Sequence, residues 1–473
     1  MPLWGGIMSG GVLPFPIPRP DPLATVRHRA HQHLDAWLNQ LAPVFDQASP
    51  PTLRELSARF TATRGPFLGG CLKAFSEELY AAWRDQQQIN CPHCGQRLKR
   101  KRLDPKQIDT LQGPLVLERP YFYCAACRQG FHPLDQALEL AQGVHQYDLQ
   151  EQLLRHSAEV PYALAAELVG DLVGLTLSNH VGHDTVVDVA AVARIETVLP
   201  EAAEIQRRID AAKSAPDDRP VLVVALDGAH EPTRPRAGRD EKRGPGQWKE
   251  AKGVRCYLAL PDERIVQIAS WHQIQDAEAM RRDLAVIARL IPPAQVRIAL
   301  LGDGAPWVWN SLTSAFPTGR PILDYYHCKE HLYQVADAHY RDTVPAVHWV
   351  EATLARLGED RLSHVIAGLR RMKPTTQAAR TAIDGLITYL GNQQDRFGYD
   401  TCKAEGMPIG SGGIESANKF IGHVRLKRSG AWWVVENGNG MLRLRCALYN
   451  GTFQRVFENY VRAELAGRDR TNR

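Results

Sequence analysis

Residues 221–228 read Val-Leu-Val-Val-Ala-Leu-Asp-Gly, and this stretch decides the fold class. A short, unbroken apolar run fits a strand buried on both faces, as in the middle of an α/β sheet, and Asp227-Gly228 ends it in a turn. Downstream, after a polar stretch from Ala229 to Lys252, Val254–Leu260 and Arg264–Trp271 flank Pro261-Asp262-Glu263 and read as a hairpin. Asp276 caps an amphipathic helix to about Ile291, and Val296–Leu301 is a second apolar strand that stops at Gly302-Asp303-Gly304. A helix from Pro306 to about Phe316 and a strand at Ile322–Tyr325 complete the order β-β-β-α-β-α-β, with the first three strands antiparallel neighbours. From His327 to about Arg396 the period is helical, which predicts an all-helical insertion; Gly410-Ser411-Gly412-Gly413 then leads into a last helix near Ile414.

Upstream, Ser214–Pro220 is a linker rich in Pro and Asp that marks a domain boundary. Before it, helical spacing runs from Asp148 to about Ala212, and Pro161–Gly170 with Leu175–Ala190 has the form of a helix-turn-helix with Gly174 near the turn. Its second helix offers Asn179, His180 and His183 and no Arg or Lys before Arg194, so it reads equally as a DNA reader or a dimer-packing element. The resulting expectation is a multidomain α/β protein. A Gly- and Pro-rich arm and helical region occupy 1–84, a zinc ribbon 85–147, and the helical region 148–213. A mixed-sheet core follows in two parts, 221–326 and 406–473, split by the insertion 327–405.

The 473 residues are 44% hydrophobic and 23% charged, and Lys+Arg 57 against Asp+Glu 52 leaves a net charge of only +5. No field covers the whole molecule, so nucleic-acid binding must rest on local basic clusters. Apolar runs are broken long before the roughly 18 residues a membrane span needs, and the first residues lack a secretory pattern, so a cytoplasmic location is expected.

Nine cysteines are an odd number, and four of them form two CxxC pairs, Cys91/Cys94 and Cys124/Cys127. Four thiolates in two knuckles suit a structural zinc better than a disulfide framework. Thirty positions separate Cys94 from Cys124, more than a compact ribbon needs, which predicts an extended hairpin between the knuckles. Arg97, Lys99, Arg100, Lys101 and Arg102 form a basic run there, read as phosphate contacts rather than a merely solvated surface. Arg234, Arg236, Arg239, Lys242, Arg243 and Lys249 form a second basic segment after Asp227, and Arg425, Lys427 and Arg428 a third. Trp432 and Trp433 read as core residues in preference to base-stacking ones.

The catalytic candidates are carboxylates at the ends of strands. Asp227 and Asp303 terminate apolar strands whose ends converge in an α/β sheet, and Glu415 starts a helix after a Gly-rich turn. Singly each is a turn or a cap; together they are the donor set that holds divalent cations such as Mg²⁺ or Mn²⁺ for phosphodiester chemistry. Other site chemistries fail. No Gly-Lys-Ser/Thr follows a Gly-rich turn, Ile409 spoils a nucleophile elbow at Ser411, and His327-Cys-Lys-Glu-His331 places Glu330 wrongly for a zinc protease.

Four motifs in order, VVALDGAH, ALLGDGAPWVWN, ILDYYHCKEHL and GSGGIESANK, resemble the DDE transposases of bacterial insertion sequences. The likeness is to the ISKra4 group above all, and more distantly to the Mutator and IS256 type. This resemblance implies an RNase H-like core with Asp227, Asp303 and Glu415 as the metal-binding triad. It also implies cleavage at transposon ends, strand transfer into target DNA, and a homodimer or higher oligomer on double-stranded DNA. The wider group carries a C/DxxH motif after the second Asp. Both Asp324-Tyr-Tyr-His327 and Cys328-Lys-Glu-His331 fit it; the first is preferred because Asp324 ends a strand beside the site, and His327 is the catalytic candidate. A structure-specific nuclease and a non-catalytic zinc-dependent DNA-binding regulator are the alternatives.

Overall fold

The computed structural model describes residues 21–238 and 244–471. The chain forms two compact units. One takes the sequence up to Ser157, Tyr162–His183 and the end of the last helix from Ala463; the other takes Ala158–Pro161 and Asp184–Arg462.

The first unit begins with helices Pro22–Leu41 and Leu53–Leu79. Asp21 caps the first, and the second starts in a reciprocal Thr52/Glu55 capping box, so side chains satisfy free backbone N–H groups at both helix starts. Five strands follow: β1 (Gln88–Asn90), β2 (Arg97–Lys99), β3 (Arg102–Thr110), β4 (Gly113–Cys124) and β5 (Gln129–Phe131). β1 pairs with β2, and β3, β4 and β5 form an antiparallel sheet in that order. The long β3–β4 hairpin fills the interval between the two CxxC pairs. Cys91, Leu98, Phe122 and Cys124 are buried together and give this small module its core.

In the second unit a five-stranded mixed sheet has the order β10-β9-β6-β7-β8. Its strands are β6 (Val221–Thr233), β7 (Gln247–Ala259), β8 (Ile265–Ile274), β9 (Arg297–Gly302) and β10 (Arg320–Leu323). β6 is antiparallel to β7, β7 to β8, and β9 and β10 run parallel to β6. Val221–Leu226 are fully or almost fully buried, as a strand in the middle of such a sheet requires. Helix Ala277–Leu290 buries Met280, Leu284 and Ile287, one face at i, i+4 and i+7. Helix Pro306–Ala315 is the crossover that the parallel pair β9–β10 needs. The free edge of β8 is covered by helix Val435–Asn450, where Asn450 accepts from Ser270 N–H and Asn439 from Ile274 N–H. Five helices between Tyr325 and Ala404 separate β10 from the helical segment that carries Glu415. No helix among the described residues is long and apolar enough to cross a membrane.

Two features differ from the sequence reading. β6 does not stop at Asp227 but continues to Thr233, paired with β7 down to Gln247, so both ends of the polar stretch form a two-stranded arm. Burial accompanies the pairing: Glu231, Pro232 and Thr233 are buried, while His230 faces solvent. The helix that starts near Ile414 is neither regular nor the last, since Val435–Asn450 and Phe453–Thr471 follow it. Gly412–Ala417 is α-helical, Asn418–His423 is a π-helix, and Val424–Leu426 returns to α. The wide turn is braced by Arg445, wholly buried, whose guanidinium donates to the Phe420, Ile421 and Ala158 carbonyls and pairs with Glu159.

Glu231 is the strained member of this core. Its Oε2 has no hydrogen-bond partner among the described residues, and burial, opposed by the Lys427 charge, pushes the carboxyl up to about 7. A raised folded-state value means that stability is full below about pH 4.5 and is lost as pH rises through 7. Glu231→Gln is therefore expected to stabilise the protein at pH 8 by on the order of 2 kcal/mol and to do little at pH 4, read from denaturant midpoints at the two pH values.

Candidate active site

The register of the sheet sets the site. β6 and β9 pair in parallel as far as Ala225↔Leu301; two positions on stand Asp227, still within β6, and Asp303, the residue that follows the end of β9 at Gly302. Adjacent strands lie about 4.8 Å apart, and the carboxyl end of the parallel strands of an α/β sheet is where its ligand crevices form. Asp303 is held by its own turn, Oδ1 accepting from Ala305 N–H at 2.9 Å.

Glu415 arrives from the other side of the insertion. The turn before it is latched by Asp324, which is 1% exposed. One Asp324 oxygen caps helix Tyr325–His339 through His327 N–H (2.8 Å) and the other accepts from Ser411 N–H (2.6 Å). Arg255 donates to the Gly413 carbonyl, and Ser411 Oγ donates to Glu415 Oε1. One turn after Glu415, on the same helix face, Asn418 Nδ2 donates to Asp227 Oδ2 at 2.7 Å.

Burial pushes the Asp227 carboxyl up to about 6; the Gly228 N–H and the His327 charge oppose the shift, while the charges of Asp303 and Glu415 add to it. Asp303, Glu415 and His327 thus each act on Asp227 through space. The oxygens of the three carboxylates are less tightly gathered than the four cysteine sulfurs, which among the described residues form the group with all ligand atoms within 4.8 Å. Like charges at a half-buried edge separate toward local donors, here Asn418, Ser411 and backbone N–H groups.

Sequence reasoning missed the support behind Asp227. His272 on β8 is 2% exposed and donates Nε2–H to Asn418 Oδ1 at 2.9 Å; burial takes the imidazole down to about 4, so it stays neutral. A Cβ at residue 253, opposite Asp227 on β7, would stand 2.4 Å from the His272 ring, so only glycine leaves room for this relay. Asn418 could have been found from its i+3 spacing to Glu415; His272 carries no sequence signal. Lys252, also missed, is buried beside the site with its ammonium 4.0 Å from the Trp307 ring centroid and paired with Glu250.

The two C/DxxH registers divide the work between them. Asp324 is the buried latch, and His327, with 40% of its side chain exposed, faces Asp227 electrostatically. Cys328 is fully buried and its thiol is pushed up to about 12 by burial, whereas His331 packs 4.1 Å from the Tyr389 ring, whose hydroxyl donates to the Asp303 carbonyl.

Of the basic residues, Arg97, Lys99 and Lys101 are exposed on the ribbon and Arg100 is half-buried. Arg102 is paired with Asp104 and lies over Tyr121. Arg239, Lys242 and Arg243 lie outside the described residues. Arg425 corrects the reading of a third phosphate track: it is 4% exposed and stacks over Trp433, a core position. Lys427 is bonded to His423 Nε2, and only Arg428 of that group is exposed. Helix Asn179–Val192 exposes Asp184 and Asp188 and holds no Arg or Lys, a poor face for phosphate.

Residues 72–462 match the uncharacterised protein family UPF0236. The chain belongs to this family. No curated protein matches the chain. Among solved structures it is similar to the Drosophila P element transposase strand transfer complex, at 12% identity over 66% of this chain and 80% of that chain, with a TM-score of 0.24. At that score the likeness carries no argument about fold or function.

The cysteine group passes a direct test of fit. Four sulfurs about 2.3 Å from a tetrahedral zinc stand about 3.8 Å apart, and Cys94–Cys124 and Cys91–Cys127 are separated by 3.6 and 3.9 Å. Burial disfavours the Cys91 thiolate, but the His93 and Cys94 backbone N–H groups together with the Cys94 and Cys124 thiols hold the Cys91 thiol down at about 7, while the neighbouring thiols push Cys127 up to about 12, so the four sulfurs share their protons. The group could hold a structural zinc. Elemental analysis of chelator-free protein should find one zinc per chain, Cys94→Ser should lose it together with cooperative melting of the ribbon, and metal-free wild-type protein would overturn the assignment.

Proposed function

We propose that the protein is a DDE-type DNA transposase of the insertion-sequence class, related to the ISKra4 group, with an RNase H-like catalytic core. The observation that carries this reading is Asp303, the residue after β9, beside the β6 strand that bears Asp227, with Glu415 also near enough for its charge to reach Asp227. An oxygen-only set of three carboxylates fits hard divalent cations, and Asp227, Asp303 and Glu415 would hold Mg²⁺ or Mn²⁺. Bound there, such ions would neutralise charge on a phosphodiester and activate water or a 3′-hydroxyl for in-line attack.

The rest is the work of the chain. Asn418 fixes the rotation of the Asp227 carboxylate, and neutral His272 fixes Asn418 so that its amide nitrogen, not its oxygen, meets Asp227. Asp324 ties the start of the insertion to the turn before Glu415, so both parts of the core hold one geometry. His327 presents a half-exposed imidazole to the edge where a phosphate would lie. The exposed Arg97, Lys99 and Lys101 supply phosphate contacts that hold double-stranded DNA without reading sequence. Substrates are transposon ends and target DNA, and the enzyme works as a homodimer or larger assembly on them.

Asp227→Ala, Asp303→Ala and Glu415→Ala should each reduce cleavage of cognate ends by about a hundredfold or more while DNA affinity stays unchanged. Asn418→Ala should cost about tenfold to a hundredfold in the same assay, because it frees a ligand rather than removing one. Cleavage retained in Asp303→Ala overturns the triad, and cut ends that never join to target DNA make the enzyme a nuclease on the same carboxylates.

A further inference from the structure

The arm that β6 and β7 form beyond Asp227 ends in an aromatic cluster the chemistry above does not use. Trp433 pairs with the arm, its N–H donating to the Pro232 carbonyl and its carbonyl accepting from Arg234 N–H, and its buried ring anchors the loop through Leu426 O. The next ring outward, Trp432, is 38% exposed, and Trp248 on the end of β7 is 58% exposed. Their ring centroids are 6.2 Å apart at 63°, and the Arg234 guanidinium lies 5.3 Å from the Trp432 centroid. A Cβ at residue 246 would stand 2.2 Å from the Trp432 ring, so glycine there lets the ring lie against the turn.

Three further observations say what would cover these rings. Arg234 Nε is buried without a hydrogen-bond partner among the described residues, although buried polar groups are nearly always paired. Arg236 and Lys249, both exposed, have no ion-pair partner among the described residues. A cavity of about 340 Å³ at the end of the arm, lined by neither of these rings, has Arg234, Arg236, Lys249 and Glu436 in its wall, three cations to one carboxylate. Exposed π faces flanked by unspent positive charge are complementary to a strand with stackable bases and anionic phosphates. A duplex hides its base faces, so the ligand is an unpaired base.

We propose that Trp248 and Trp432, with Arg234, form a stacking platform for an unpaired nucleobase of the bound DNA strand, with Arg236 and Lys249 on its phosphates. The proposal rests on the transposase reading for its substrate class. Thr233 is six residues beyond Asp227 along β6, so the platform stands about 20 Å from Asp227.

The test is fluorescence anisotropy with the full chain, using a short oligothymidylate and a blunt duplex of random sequence as probes. Trp248→Ala should weaken oligothymidylate binding by about tenfold and leave the duplex within about twofold, with Trp248→Phe restoring affinity because it restores a π face. Should Trp248→Ala be recovered unfolded, Trp248→Leu, which keeps apolar bulk without a π face, takes its place. Arg236→Ala with Lys249→Ala should weaken oligothymidylate binding and flatten its salt dependence. Unchanged oligothymidylate affinity in a folded Trp248 variant overturns the platform, and so does equal loss for Trp248→Ala and Trp248→Phe. These binding readouts need no cleavage: an unchanged Trp248 variant in a protein whose cleavage depends on Asp303 sinks the platform alone, while cleavage independent of Asp303 sinks the transposase reading alone.

Discussion

Repulsion between carboxylates at one edge of a sheet is the constraint on which the rest of the second unit depends. The parallel pairing of β6 and β9 up to Ala225↔Leu301 brings Asp227 and Asp303 near one another just beyond it, and Glu415 adds a third negative charge. Burial raises the cost, because a desolvated carboxylate favours its neutral form. The fold holds this arrangement with donors fixed elsewhere: Asn418 on Asp227, Ser411 on Glu415 and the Ala305 amide on Asp303.

Those donors are themselves held by buried polar groups that would otherwise be liabilities. Asp324 serves two backbone N–H groups at once, and neutral His272 fills a space only Gly253 leaves open. Arg445 gives the carbonyls of the π-helical turn a partner, and that turn carries Asn418 to Asp227. A regular helix through residues 418–423 would rotate every later side chain relative to Glu415, so the irregularity belongs to the site's geometry.

The first unit solves a different problem. Its ribbon has a core of a few side chains, too small to be stable unaided, and a zinc held by its four sulfurs would supply the missing cohesion. Positive charge follows the same local logic. With a net charge of only +5, what matters is which cations remain unpaired: Arg97, Lys99 and Lys101 on the ribbon, Arg236 and Lys249 on the arm, and not Arg425 or Arg445, which are spent inside.

The sequence by itself determined the features whose physics is local. An unbroken VLVVAL run must be buried, Asp276 must cap a helix, two CxxC pairs must converge if they bind one ion, and the strand and helix order of the core follows from periodicity. That Asp227, Asp303 and Glu415 share one site is the proposal the apolar runs suggested, although β6 runs on six residues past Asp227 instead of ending there. Tertiary structure decided what depends on distant partners. The polar residues after Leu226 are strand because β7 pairs with them, a run of identical local composition being a loop without that partner. Arg425 is core because Trp433 lies beneath it, the helix after Glu415 widens because Arg445, far along the chain, supplies the donors its carbonyls need, and His272 matters only through Asn418. Burial and hydrogen-bond satisfaction are properties of the assembled neighbourhood, and no reading of spacing along one segment contains them.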